Sequence, residues 1–296
     1  MRWDGHTHSE FCPHGSGEDT EVFIRQAIAH GITHYSITEH APLPPEFLKR
    51  CAGATYARDT AGIQLDQVEP YLKKMTELQH RFQADIRIYI GFEIDYLPDF
   101  EDWTRSFLNE YGNFIEDSIL SLHFLRGRGG YRAIDYSAED YSDGLISFYG
   151  SFQQAQTAYY HVLRQSVAAD LGRYKPKRIG HISLCRKFQS TLSAEESAFS
   201  AESRQVVSDL LEDMVQEDYS LDYNTAGLFK PLCGEPYPPD EITQEAINRG
   251  IALVFGSDAH RSKAIGGGYD KYRYWEAMAA QRKRMTHGFA KKNDQS

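Results

Sequence analysis

The sequence predicts an α/β protein built as a parallel β/α barrel, and two observations predict it. About seven short apolar runs alternate with amphipathic helical stretches, the pattern of successive right-handed βα units. The residues with metal-binding chemistry stand mostly at the ends of those runs, where such a barrel builds its site. An open doubly wound sheet collects ligands at one switch point and would not recruit them from nearly every strand.

Each element follows from its own pattern. Trp3-Asp4-Gly5-His6-Thr7-His8 opens the chain as a strand, in which residues two apart face the same way, so His6 and His8 can grip one ion. After a loop at Gly15 to Asp19, Thr20 to His30 carries Val22, Phe23, Ala27 and Ile28 in a helical stripe, with Gly31 placed to end it. Ile32 to Thr38 is a strand that delivers His40 just past its end. Residues 41 to 65 hold Pro42, Pro44, Pro45 and several glycines and read as a long irregular excursion, which is more often functional than decorative.

Asp66 to Phe82 is an amphipathic helix through Val68, Leu72, Met75 and Leu78. Ile86 to Ile94 is a strand with Glu93 at its end. Trp103, Phe107, Leu108 and Tyr111 mark a short helix, and Asp117 to Leu122 is a strand ending on His123. A second excursion, 124 to 177, holds Arg126, Arg128 and Arg132 among glycines and tyrosines, then a helix around Phe152 to Leu171; part of it is expected to cover the site. Arg178 to Ile182 is a brief strand carrying His181. Ser193-Ala194-Glu195-Glu196 has capping-box spacing and opens a helix through Val206, Val207, Leu210, Leu211 and Val215. Ser220 to Asn224 is a strand, Asp240 caps a helix ending at Arg249-Gly250, and Ile251 to Phe255 is the last strand, followed by Asp258 and His260. With no repeat and no low-complexity linker, residues 1–284 are expected to form one barrel domain and 285–296 a polar tail that frays.

Composition narrows the function. A chain of 296 residues can bury a large core, and a net charge of -10 with a pI near 5.6 argues against a nucleic-acid partner, which calls for a basic face. Cys12, Cys51, Cys185 and Cys233 contain no CxxC pair, so reduced thiols and a cytoplasmic protein are expected. The start of the chain lacks a charged-then-apolar leader, and no segment approaches the roughly 18 apolar residues of a membrane span. A soluble protein with a small-molecule substrate and no membrane partner is the reading; oligomeric state leaves no mark on the sequence.

The chemistry is concentrated in His6, His8, His14, His40, Glu93, His123, His181, Asp258 and His260. Zinc, manganese and iron use such nitrogen and oxygen donors, and the set exceeds what one ion can bind, so two or three ions are expected. Singly, each histidine reads as a surface or hydrogen-bonded core residue; together at strand ends they do not. Glu93, between apolar neighbours, is a buried carboxylate that needs a cation. Asp95 reads as a supporting or loop residue. His30, His34, His80, His161 and His287 read as structural, and Cys12 as a thiol near the ligands without being one.

This ordered set, His6-Thr7-His8, His14, Thr38-Glu39-His40, Glu93, His123, Gly180-His181-Ile182 and Ser257-Asp258-Ala259-His260, resembles the polymerase and histidinol phosphatase superfamily, and within it the histidinol-phosphate phosphatases. Phe11-Cys12-Pro13-His14-Gly15 and the long excursions resemble that branch. The resemblance implies a distorted (β/α)7 barrel and a trinuclear centre in which His6, His8, Glu93 and Asp258 hold one ion, Glu93 bridges to a second held with His123 and His181, and His14, His40 and His260 hold the third. It implies hydrolysis of L-histidinol phosphate in histidine biosynthesis, by in-line attack of a metal-held hydroxide on phosphorus.

Arg186 is the first candidate phosphate clamp, with Arg126 and Arg261 behind it. Asp258 or His260 is expected to assist proton transfer to the leaving oxygen. Tyr131, Asp135, Tyr136, Glu139, Asp140, Tyr141 and Asp143 would form an acidic and aromatic wall for the alcohol half. The alternatives are a phosphoesterase acting on another phosphomonoester, a nucleotide or nucleic-acid ends, an amidohydrolase, which also opens with HxH but commonly carries a bridging lysine where this chain has His123, and a non-catalytic metal-stabilised module.

Overall fold

The computed structural model describes the backbone of residues 1–293 and the side chains of residues 1–284. The tail expected at 285–296 and His287 lie outside the described side chains.

Seven parallel strands form one sheet in the order β1 (Trp3–Asp4), β2 (His34–His40), β3 (Arg87–Asp95), β4 (Ile119–Ser121), β7 (Arg178–Ile179), β8 (Ser220–Asn224) and β9 (Leu253–Gly256). The last strand returns to the first. Gly5 N donates to Phe255 O at 2.8 Å, Asp258 N to His6 O at 2.8 Å and His8 N to Ala259 O at 3.1 Å, which closes the sheet along the segments that carry the ligand candidates. This is the expected barrel, with helices covering its outside.

Register then places chemistry side by side. In the β2–β3 ladder His40 is paired with Glu93, and in β3–β4 Asp95 is paired with Ser121. The opposite end of the barrel is filled by a polar plug: the buried Arg178 donates to Gly5 O at 2.7 Å and Asp117 at 2.8 Å, and Asp117 also accepts from Ser36, which accepts from Trp3 Nε1. The cavity lies at the other end, at the strand C-termini.

Several elements differ from expectation. The capping box at Ser193 and Glu196 opens only the short turn Ala194–Ser197; extended backbone at Ala198 turns Phe199 into the core, and Ser200 caps a separate helix, Ala201–Gln216. Asp240 is the first residue of its helix rather than the cap, a position taken by Pro239, while Gly250 ends it in the left-handed region. Excursion 124–177 contains an antiparallel hairpin, β5 (Phe124–Gly127) and β6 (Gly130–Ala133), turned at Arg128-Gly129. Its later helix, Phe152–Ala168, packs on Ala201–Gln216, so only the early part of the excursion reaches the cavity. A long final helix, Tyr269–Asn293, seats Tyr269, Tyr272 and Trp275 against Phe255 and Tyr223.

Candidate metal centre

Glu93 is the hub. Its strand, β3, buries it to 1% exposure at the floor of the cavity, and Ser121 Oγ donates to Oε1 at 2.6 Å. Around Oε1 lie His181 Nε2 at 2.9 Å and His123 Nε2 at 3.6 Å; around Oε2 lie His40 Nδ1 at 3.1 Å, His6 Nε2 at 3.3 Å and His8 Nε2 at 3.7 Å. Asp258 Oδ1 adds contacts to His8 Nε2 at 3.2 Å and His6 Nε2 at 3.9 Å. His14 Nε2 stands 3.0 Å from His260 Nε2. All nine predicted donors are thus brought to one end of the barrel.

The imidazoles are held from behind. His6 Nδ1 bonds Asp222 Oδ2 at 2.8 Å, His8 Nδ1 bonds Glu39 Oε1 at 3.3 Å and His123 Nδ1 bonds Asp95 Oδ1 at 3.0 Å. His14 Nδ1 meets Thr60 O at 2.8 Å, and His260 Nδ1 meets Asp258 O at 3.0 Å. Such bonds fix the tautomer and turn Nε2 inward, as metal-ligating histidines require. Asn224 Nδ2 ties Asp222 to Asp258, at 3.2 Å from each. Asp258 occupies the left-handed region, with φ 51, where aspartate is tolerated better than most residues, and this turn aims its carboxylate at the histidines. A Cβ on Gly256 would collide with Asp222 Oδ1 and His6 Cβ, so only glycine leaves room for that tether.

The donors fit a cation. His6 Nε2, both nitrogens of His40 and Glu93 Oε2 are buried without a hydrogen-bond partner, although they crowd one another. Unpartnered buried polar atoms are costly, and convergent lone pairs at these separations suit an ion between them. Electrostatics agree. Burial opposes charge on His6, but the carboxylates of Glu93, Asp222 and Asp258 outweigh it and hold the imidazole well above its ordinary range; for His8 the net effect of burial, Asp258 and Glu39 is a rise to about 9. Burial works against ionised Glu93 too, yet His6, His123 and His40 keep it well below the usual carboxylate range. Burial and neighbouring His8 push His40 well down. The buried carboxylates thus draw positive charge into the cluster, which divalent ions among the imidazoles would supply directly.

The cavity, about 710 Å³, is lined near the donors by Asp135, Lys187, Arg261 and Lys263, with Tyr56, Tyr136 and Phe229 among its lining aromatics. Of the arginines expected at phosphate, only Arg261 lines it. Arg186 is turned away: it donates to Glu235 at 2.6 Å and Ser197 O at 2.8 Å, bonds Gln189, and lies over the Phe199 ring. Arg126 bonds Asp99 and stacks on Tyr131 outside the cavity. Of the expected acidic and aromatic wall, Asp135 and Tyr136 reach the cavity; Tyr131 and Tyr141 are core residues, Asp140 and Asp143 pair with Arg132, and Glu139 is exposed.

Sequence reasoning gave no role to Glu39, Asp222, Asn224 or Lys187. Asp222 and Asn224 were legible in principle, since two polar residues two apart in the strand Ser220–Asn224 must share one face, and the barrel interior is that face. Cys12 lies with His8, His40 and His260, their donor atoms all within 4.8 Å of one another, although burial pushes its thiol far up.

Comparison with known proteins identifies the chain's relatives. The chain is 38% identical over 269 residues to histidinol-phosphatase of Bacillus subtilis, covering 91% of this chain and 97% of that protein. A protein from Listeria monocytogenes described as a candidate histidinol phosphatase, hisK, superposes with a TM-score of 0.90 at 50% identity, over 92% of this chain and all of the other. Histidinol phosphate phosphatase of Lactococcus lactis, solved with zinc, L-histidinol and phosphate, shares the fold at a TM-score of 0.71 and 19% identity, over 94% and 93% of the two chains. The family model described as the PHP domain matches residues 4–226, from the end of the first strand of the barrel through the sixth. By fold and by sequence, the chain belongs to the PHP domain family.

Proposed function

We propose that the protein is a metal-dependent histidinol-phosphatase, hydrolysing L-histidinol phosphate to L-histidinol and phosphate. The observation that carries this reading is Glu93, whose two carboxylate oxygens are each faced by imidazole nitrogens delivered at or just past the ends of different strands, at the floor of an open cavity. High identity over nearly the full length of a curated histidinol-phosphatase supports the substrate. His6, His8, Glu93 and Asp258 would hold one ion, Glu93, His123 and His181 a second, and His14, His40 and His260 a third, with zinc, manganese or iron as suitable metals. Ions so held supply Lewis acidity toward the phosphoryl oxygens and activate water.

The chain's own residues do the rest. Glu93 stays ionised because the surrounding imidazoles hold its proton affinity down, and Asp258 likewise, held by His6, His8 and His260 against burial. Asp222, Glu39 and Asp95 fix the orientation of three imidazoles before any ligand arrives, which removes reorganisation from the reaction. Arg261, assisted by Lys263, faces the cavity and is the cation we assign to the phosphate. Asp258 and His260 line the same cavity, and proton transfer at the leaving oxygen is assigned to Asp258, because Asp258 O and the outer position engage both ring nitrogens of His260. Tyr136 and Asp135, which line the same cavity, receive the ammonium and imidazole of the alcohol half, although Asp135 is already engaged by Lys187 at 3.0 Å.

We assign residues 1–284 to a single catalytic domain. All four cysteines are free, which suits the reducing cytoplasm, and among the described residues no helix is long and apolar enough to cross a membrane. Phosphate release by purified protein from a panel of phosphomonoesters tests the proposal: histidinol phosphate should have the highest kcat/KM, and preference for a nucleotide or sugar phosphate would replace it with another PHP phosphoesterase reading.

A further inference from the structure

We infer that the outer ion position, formed by His14, His40 and His260, is an exchangeable one that empties before the inner positions; the inference rests on the ligand assignment proposed above. Three independent differences separate the outer donors from the inner ones.

Charge is the first. In that assignment the inner positions include the carboxylates of Glu93 and Asp258, whereas the outer set is three imidazoles. A dication loses more Coulomb energy on leaving carboxylates than on leaving imidazoles. The second is what stands behind each ring. Of the four inner histidines, His6, His8 and His123 pass Nδ1–H to the carboxylates of Asp222, Glu39 and Asp95, which makes Nε2 a stronger donor, and His181 alone has no partner at Nδ1. His14 and His260 pass theirs to backbone carbonyls, Thr60 O and Asp258 O, and neither nitrogen of His40 has a hydrogen-bond partner.

Rigidity and access are the third. His6 and His8 are fully buried in the segment that closes the barrel, while His14 is exposed and the His260 side chain is 25% exposed. His14 sits in the loop before the first helix, and its tether, Thr60, belongs to the excursion at 41–65. Loops therefore hold two of the three outer donors, His40 standing at the end of β2, whereas among the inner donors Glu93 lies within β3 and the backbone at His6, His8 and Asp258 is tied by the hydrogen bonds that close the barrel. Exposed loops move more freely than strands, so the outer ion has both a weaker grip and an open exit.

Graded chelation tests this without measuring turnover. Protein loaded with excess zinc and desalted is exposed to rising chelator, and bound zinc per chain is read by elemental analysis. One equivalent should leave at chelator concentrations at least about tenfold below those that strip the rest, the scale expected for weaker ligand support. His14→Ala should start one equivalent short and lose the remainder at the same chelator concentrations as the unmodified protein. Loss of all zinc in one step would overturn the inference, as would a His14→Ala protein that keeps full zinc or loses all of it. An intense thiolate-to-metal absorption band in cobalt-loaded protein would also overturn it, since Cys12 would then give the outer position an anionic donor. Less than one zinc per chain after loading would instead defeat the ligand assignment itself.

Discussion

Asp222 Oδ2 lies 2.8 Å from His6 Nδ1, a buried bond between residues 216 apart in the chain, and the same oxygen accepts from His181 N at 3.2 Å. One carboxylate on β8 thus orients a donor just past β1 and pins the backbone of another donor just past β7. Asp222→Asn keeps the shape but cannot fill both roles with the same charge. It should weaken metal affinity by about 10- to 100-fold while circular dichroism stays unchanged. Unaltered zinc retention in this variant would remove Asp222 from the account.

Glu93→Gln takes away the one charge placed between both groups of imidazoles. Turnover should fall by at least about a thousandfold, or about 4 kcal/mol of transition-state stabilisation, with the fold intact. Steady-state kinetics on the metal-loaded variant checks it, and a loss under tenfold would mean that Glu93 does not bridge.

Arg186 and Arg261 should behave oppositely. Arg186 is 8% exposed and satisfied by Glu235, Ser197 and Gln189, so Arg186→Ala should cost about 2 kcal/mol of stability, a discounted figure because Glu235 is partly solvated. Its KM should change little. Arg261→Ala should leave urea unfolding unchanged and raise KM for the phosphate ester several-fold. The reverse pattern would restore Arg186 as the clamp.

The arginines also show where sequence reading stopped. His6-Thr7-His8, Glu93 and Asp258-Ala259-His260 were legible because strand periodicity and strand ends fix their direction, and the barrel follows from the alternation that delivers them. The direction of Arg186 was not. It depends on Phe199, turned inward by a break between two helices that the apolar pattern runs together, and on Glu235, 49 residues away. Asp95 was read as a supporting residue and holds His123; Asp222, of the same kind, escaped because its partner is at the other end of the chain. The hairpin β5–β6 was hidden by its glycines, and the final helix by its weak amphipathic pattern.

Lys175 supplies a pH test remote from the metals. Its ammonium donates to Val167 O at 2.7 Å and Ala169 O at 2.6 Å, at the end of the helix Phe152–Ala168. Burial, and next the nearby Lys177, pull it down to about 8. Between that value and the unfolded value near 10.4, the native state binds fewer protons than the unfolded chain, so this group makes stability rise with pH from about 8 to about 10. Lys175→Met should flatten that slope in urea melts taken across the window; an equal slope in both proteins would show that Lys175 titrates normally.

The central claim is that this centre hydrolyses histidinol phosphate with ions held around Glu93. The most direct measurement is phosphate release from L-histidinol phosphate by one preparation before chelation, after chelation and after zinc or manganese is restored, with bound metal counted at each stage. The account predicts rapid release, loss of activity as the metal leaves, and recovery on reloading with at least two ions per chain. Undiminished hydrolysis by metal-free protein, or no hydrolysis of this ester by the fully loaded protein, would contradict it.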